Sequence, residues 1–166
     1  DDTDCVLSLV GKTASGGVGQ AGRTAIIAES SNNSNGQSKM HFRTRNTSNA
    51  QLIAMTIDGN QKVGIGISSP DQTVHIHKGS AGSVSSTANT VLTLENSTTN
   101  VLQFLNPNNT AAQIRFGDPQ DDGAGFIDYS HNSNTMAFGA NGPTRMQLDG
   151  NGHLGIDVAS VTQLAN

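Results

Sequence analysis

Tryptophan is absent from this 166-residue chain, and cysteine and tyrosine occur once each, as Cys5 and Tyr129. A single thiol excludes an intrachain disulfide framework and a cysteine-based zinc motif, and Cys5 reads as a small buried side chain near a strand. Aromatic residues make up only 4% of the chain, which offers little of the flat surface that deep carbohydrate grooves use. Charge is scarce as well: 13% of residues carry one, the net charge is −4 and the isoelectric point is about 5.6. Such a balance gives no basic stripe for nucleic acid. The one local cluster, Lys39 with Arg43 and Arg45, reads as a solvated strand face. Neither a leader pattern nor an apolar run of membrane-spanning length is found. An opening Asp1 in place of Met is expected of a processed product or an excerpt of a longer protein.

What is present is polar and small. Asn, Ser and Thr together number 50 and Gly 19, against 35 for Leu, Ile, Val and Phe. Weak self-repulsion argues against disorder, but so thin an apolar inventory leaves a single chain short of the buried area that offsets the entropy of ordering. Association is the expected remedy, and the expected partner is the chain itself.

Apolar residues recur with period two and hardly at all with period 3.6, which selects strands over amphipathic helices. Met40, Phe42 and Thr44 alternate with His41, Arg43 and Arg45. The same alternation marks Ile53, Met55 and Ile57; Val63, Ile65 and Ile67; Val74 and Ile76; Leu92 and Leu94; Ile114 and Phe116; and Met136 and Phe138. Turn-forming clusters separate these runs at Ser30 to Gly36, Asp58-Gly59-Asn60, Ser68 to Asp71, Asn106 to Asn109 and Asn141-Gly142-Pro143.

An internal repeat organises the pattern. Residues Met55 to Ile65 align without a gap on Met146 to Ile156, each predicting a strand, an Asp-Gly-Asn turn and a second strand. Upstream, Met40-His41-Phe42 resembles Met136-Ala137-Phe138, and Ala25-Ile26-Ile27 resembles Gly125-Phe126-Ile127. The expected organisation is therefore a first β-rich unit over residues 1–79, a Gly/Ser-rich linker over 80–87 and a second unit over 88–166. Gly64, Gly66 and Gly155 lie opposite the apolar residues of their strands, where a missing side chain predicts close approach of another backbone or a sharp bend.

Candidate chemistry is sparse. His75 and His77 share one side of a strand, and three chains would gather six imidazoles around a metal if that side met a threefold axis. Val74 and Ile76, opposite them, have the stronger claim on such an axis, so no metal site is expected. Asp118, Asp121, Asp122 and Asp128 lack the order of a calcium loop and read as a solvated turn, although two of them could supply a glycosidase pair between chains. The run Gly16 to Gly22 lacks the Gly-Lys-Ser/Thr of a phosphate loop and reads as a connector. No catalytic, cofactor-binding or metal-binding residue is assigned, and no enzyme activity is expected.

The stretch Lys62-Val63-Gly64-Ile65-Gly66-Ile67-Ser68-Ser69-Pro70-Asp71-Gln72-Thr73-Val74-His75-Ile76 resembles the Val-Gly-Ile-Gly-Thr-x-x-Pro-x-x-x-Leu-x-Val signature of tail fibres and other structural proteins of tailed bacteriophages. Asp149 to Ile156 is similar to its first half and then departs, with Asp157 where a Gly usually stands. The Asn- and Ser-rich stretch Ile114 to Gly139 is also of this type. The resemblance implies an all-β, elongated homotrimeric fibre with β-hairpins and interwoven strands about a threefold axis. It further implies a virion setting outside the cell, contacts with other tail or fibre proteins, and support for attachment to a host surface glycan or outer-membrane protein. A depolymerising tailspike segment and a subunit of a cellular surface filament or adhesin are the alternatives.

Overall fold

The computed structural model describes residues 5–10, 23–30, 37–48 and 50–157. The run Gly16 to Gly22, most of the turn at Ser30 to Gly36 and the side chain of Cys5 lie outside the described residues. Among the described residues the chain is all-β, as its alternation predicts, with twelve strands and no helix. It divides into two compact units, one ending at Val101 and one beginning at Leu102.

The first unit is a single seven-stranded sheet in sequence order: β1 (Cys5–Val10), β2 (Arg23–Ser30), β3 (Ser38–Arg45), β4 (Gln51–Ile57), β5 (Val63–Ile65), β6 (Val74–His77) and β7 (Leu92–Glu95). Strands β1 to β5 are antiparallel, whereas β5, β6 and β7 run parallel. Parallel neighbours need a crossover, and here irregular segments 66–73 and 78–91 provide it in place of a helix. The linker expected at 80–87 thus falls inside the second crossover, between two paired strands of one sheet.

The second unit is an antiparallel meander of β8 (Ala111–Phe116), β9 (Gly125–Ser130), β10 (Thr135–Ala140), β11 (Thr144–Leu148) and β12 (Leu154–Ile156). The sequence repeat is preserved in hydrogen-bond register. Met55, Thr56 and Ile57 pair with Ile65, Gly64 and Val63; Met146, Gln147 and Leu148 pair in the same order with Ile156, Gly155 and Leu154. One step further out, Phe42 pairs with Met55 and Phe138 with Met146, and a register shift follows each phenylalanine. The next strand departs from the sequence alignment by one residue: Phe42 pairs with Ile26 and Phe138 with Ile127, so Ile26, not Ile27, is the counterpart of Ile127. A slip of one residue exchanges the two faces of a strand, and pairing partners settle which face each isoleucine joins.

Lateral pairing sorts the first sheet into two unlike faces. On one lie two apolar rows: Ile26, Phe42, Met55, Ile65, Ile76 and Leu94, and beside it Ala28, Met40, Ile57, Val63, Val74 and Leu92. On the other lies the row Ile27, His41, Thr56, Gly64, His75 and Thr93. The mostly polar row is the covered one. His41, Thr56 and His75 are buried, at 2%, 0% and 1% exposure, while Ile65 and Leu92 across the sheet are 43% and 50% exposed.

The covering is local. The crossover after β5 turns at Gly66, whose φ of +75° suits glycine, and brings Ile67 over Gly64. A Cβ on Gly64 would stand 2.6 Å from the Ile67 carbonyl oxygen and 3.0 Å from its Cγ2. The close approach expected from the glycine pattern is thus made at this position by the chain's own backbone. Gly64→Ala should therefore force the crossover outward and destabilise the first unit by about 1–3 kcal/mol, the usual cost of overpacking. Chemical denaturation followed by tyrosine-independent far-UV dichroism checks this, and an unchanged midpoint would contradict it.

Candidate functional site

Beneath the crossovers the polar face carries two hydrogen-bonded clusters. In the first, the His41 ring bridges Thr56 Oγ1 at 2.9 Å through Nδ1 and Glu29 Oε2 at 3.1 Å through Nε2, while Arg43 donates to the other Glu29 oxygen at 2.9 Å. A carboxylate can only accept, so in the neutral ring Nε2–H donates to Glu29 and Nδ1 accepts the threonine proton. The hydroxyl, imidazole and carboxylate stand in the order of a hydrolytic triad. Thr56 is fully buried, however, so its hydroxyl faces the interior and not solvent. The cluster fixes the register of β2, β3 and β4.

In the second, the Asp71 backbone N–H donates to His75 Nδ1 at 3.3 Å, which leaves Nε2–H to donate to Glu95 Oε2 at 2.9 Å. The other Glu95 oxygen accepts the Ala81 N–H at 2.7 Å and lies 3.9 Å from His77 Nε2. Ser86 donates its N–H to Asp71 Oδ2 at 3.3 Å, and its hydroxyl and that of Thr93 share a hydrogen bond of 2.6 Å. These contacts close both crossovers over the sheet. The Ala81 N–H, followed by His75 and His77, holds the Glu95 carboxyl below the usual carboxylate range against an opposing push from burial. His75 and His77 do share a side, as their spacing predicts, but both nitrogens of His75 are engaged within the chain. Among the described residues no three potential metal ligands converge.

The acidic stretch builds turns. Asp118 Oδ1 accepts the N–H groups of Gln120 and Asp121 at 2.9 Å each, and Asp121 Oδ1 accepts that of Gly123 at 2.8 Å. Asp128 stands on β9 in the row Gln113, Asp128, Ala137 and Gln147. Of the basic cluster, Arg43 pairs with Glu29 and Lys39 reaches the Ser68 carbonyl at 3.4 Å.

The two repeat hairpins share one turn chemistry. Asp58 Oδ1 accepts from Asn60 and Lys62 N–H, and Asp149 Oδ1 from Asn151 and His153 N–H, all at 2.9 Å. Left-handed residues occur at Gln61 (φ +64°) and Gly152 (φ +87°). What differs is the residue four places on: His153 adds a ring contact to Asp149 Oδ2 at 2.9 Å, where the first copy has Lys62. The His153 N–H first, then its ring and the Asn151 N–H, hold Asp149 down at about 2.

The second sheet also has one apolar face, with Ile114, Ile127, Phe138, Met146 and Ile156 in one row and Ala112, Tyr129, Met136, Leu148 and Leu154 in the next. Ile114, Leu148, Leu154 and Ile156 are exposed there. Within the described residues the buried apolar side chains are Ala25, Ile27 and Ala137, against sixteen large apolar side chains left exposed. Among the described residues much apolar surface is therefore left exposed to solvent. The open apolar faces are the candidate site. Period-two alternation made these faces visible; Glu29, Thr56 and Glu95 escaped notice because nothing local marks a lone acid or hydroxyl as the partner of a distant histidine.

Thr56→Val should leave His41 Nδ1 without its partner and cost about 1–3 kcal/mol in a denaturant titration, with Thr56→Ser closer to the parent. Asp149 has its folded value below its unfolded one, so its contribution is present above the unfolded pKa of 3.8 and is lost as pH falls through about 2. A carboxyl NMR titration should find its midpoint near 2, moving upward in His153→Ala; a midpoint unmoved by that change would exclude the ring's part. No known protein family, curated protein or solved structure matches the chain.

Proposed function

We propose that the chain is a structural and adhesive segment of a viral tail fibre, which works as a homotrimer at the surface of a virion and supports attachment to a host. The observation that carries this reading is the pair of single-layer sheets with open apolar faces. Among the described residues of the first unit, the crossovers lie on the polar side and no second layer covers the apolar side. Identical copies packed face to face would supply that layer, and burial of each isoleucine or leucine would contribute about 1.5–3 kcal/mol. The Lys62 to Ile76 signature supports the viral setting, and exposed turns rich in Asn, Ser and Gly suit contact with a glycan or an outer-membrane protein.

Sedimentation equilibrium should report three chains per particle. Ile65→Asp combined with Ile76→Asp should weaken association by several orders of magnitude, since each lost 1.4 kcal/mol is a factor of ten. A compact, cooperatively folded monomer would overturn the proposal, and open-ended polymers would favour a cellular filament subunit. Electron microscopy of the native particle then places the chain on or off a virion.

A further inference from the structure

Between the two sheets, residues Val101 to Leu105 run without turn or bend and are exposed, Val101 at 70%, Leu102 at 60%, Phe104 at 47% and Leu105 at 84%. None of their backbone N–H or C=O groups is hydrogen-bonded within the described residues. From Asn96 to Ile114 no side chain is ionisable. An uncharged, apolar, unbent segment whose backbone polar groups are all open is suited to pairing with another strand.

We infer that Val101 to Leu105 is added as a strand to the free edge of β7 in a second copy of this chain. The reading rests on the homotrimer proposed above and names the segment and the edge that interlock it. Three of the strands that end a sheet have described side chains, β7, β8 and β12, and charge distinguishes them. Edge β8 carries the exposed Arg115, and β12 ends at the Asp157–Arg145 ion pair of 3.0 Å. Charges of this kind protect edges from foreign strands. Edge β7 carries Leu92, Thr93 and Leu94, preceded by Val91 at 66% exposure, and its single acid, Glu95, is turned to His75 and the Ala81 N–H.

The hydrogen-bond phase of β7 fits this assignment. Val91 and Glu95 carbonyls accept from β6 and its extension, at 2.9 and 3.0 Å, so the intervening Leu92 and Leu94 turn their backbone groups outward. The chain's own Asn100 amide already occupies the Leu94 carbonyl at 2.6 Å. The Leu92 N–H, Leu92 C=O and Leu94 N–H remain for a visitor. Centring Gln103 on Thr93 places Leu102 and Phe104 beside Leu92 and Leu94 in either strand direction, and extends the apolar face by one strand.

Hydrogen exchange on the native assembly tests this, with alternate amides of 101–105 expected to exchange about 100-fold more slowly than in a free chain. Trimers in which these amides exchange freely would overturn the strand addition while leaving the proposed function standing; monomers would remove both. Partner identity is read by co-assembling Thr93→Cys chains with tagged Gln103→Cys chains, both in a Cys5→Ser background. A mixed disulfide between the two chain types is expected under oxidation. Protected amides without that disulfide would overturn the assignment to β7.

Discussion

A single-layer sheet has two faces, and in the first unit the crossovers lie over one of them. That side is the polar row, where His41, Thr56 and His75 are buried and satisfied by Glu29, Glu95 and the backbone of Asp71. Buried polar groups are tolerable only when paired, and here the pairing also fastens the crossovers to the sheet. Everything else about the molecule follows from that choice of side, because it leaves the apolar rows open.

Glycine makes the covering feasible. Ile67 can lie on the sheet only because Gly64 has no side chain, and the turn that brings it there passes through Gly66 in the left-handed region. In the second unit the contact is between neighbouring strands: at the register shift between Phe138 and Gly139 the Phe126 ring lies across Gly139, in the space a side chain would occupy. The two units thus share hairpin register and turn chemistry while differing in how their less apolar side is closed.

This division of labour accounts for the composition. Few charges and many Asn, Ser and Thr residues suit turns and a hydrogen-bonded interior that one chain can complete alone. Many of the scarce Leu, Ile, Val and Phe residues lie on the opposite faces and in the connector at 101–105, where the proposed assembly would cover them. In the fibre proposed above, stability shared between chains would have a kinetic advantage, since unfolding must wait for dissociation.

Period-two alternation, the Asp-Gly-Asn turns and the gapless match of Met55–Ile65 to Met146–Ile156 were legible in the sequence, because each depends on residues within a dozen positions of one another. Alternation separates two faces without saying which one is covered. That was decided by contacts between segments far apart in the chain, such as Glu95 with His75 and Glu29 with His41. The same holds for the parallel run of β5, β6 and β7, and for the one-residue slip that pairs Ile26, not Ile27, with Phe42. Local chemistry determined the strands, the turns and their repetition; tertiary structure alone decided the inside from the outside, because burial is a property of what arrives from elsewhere.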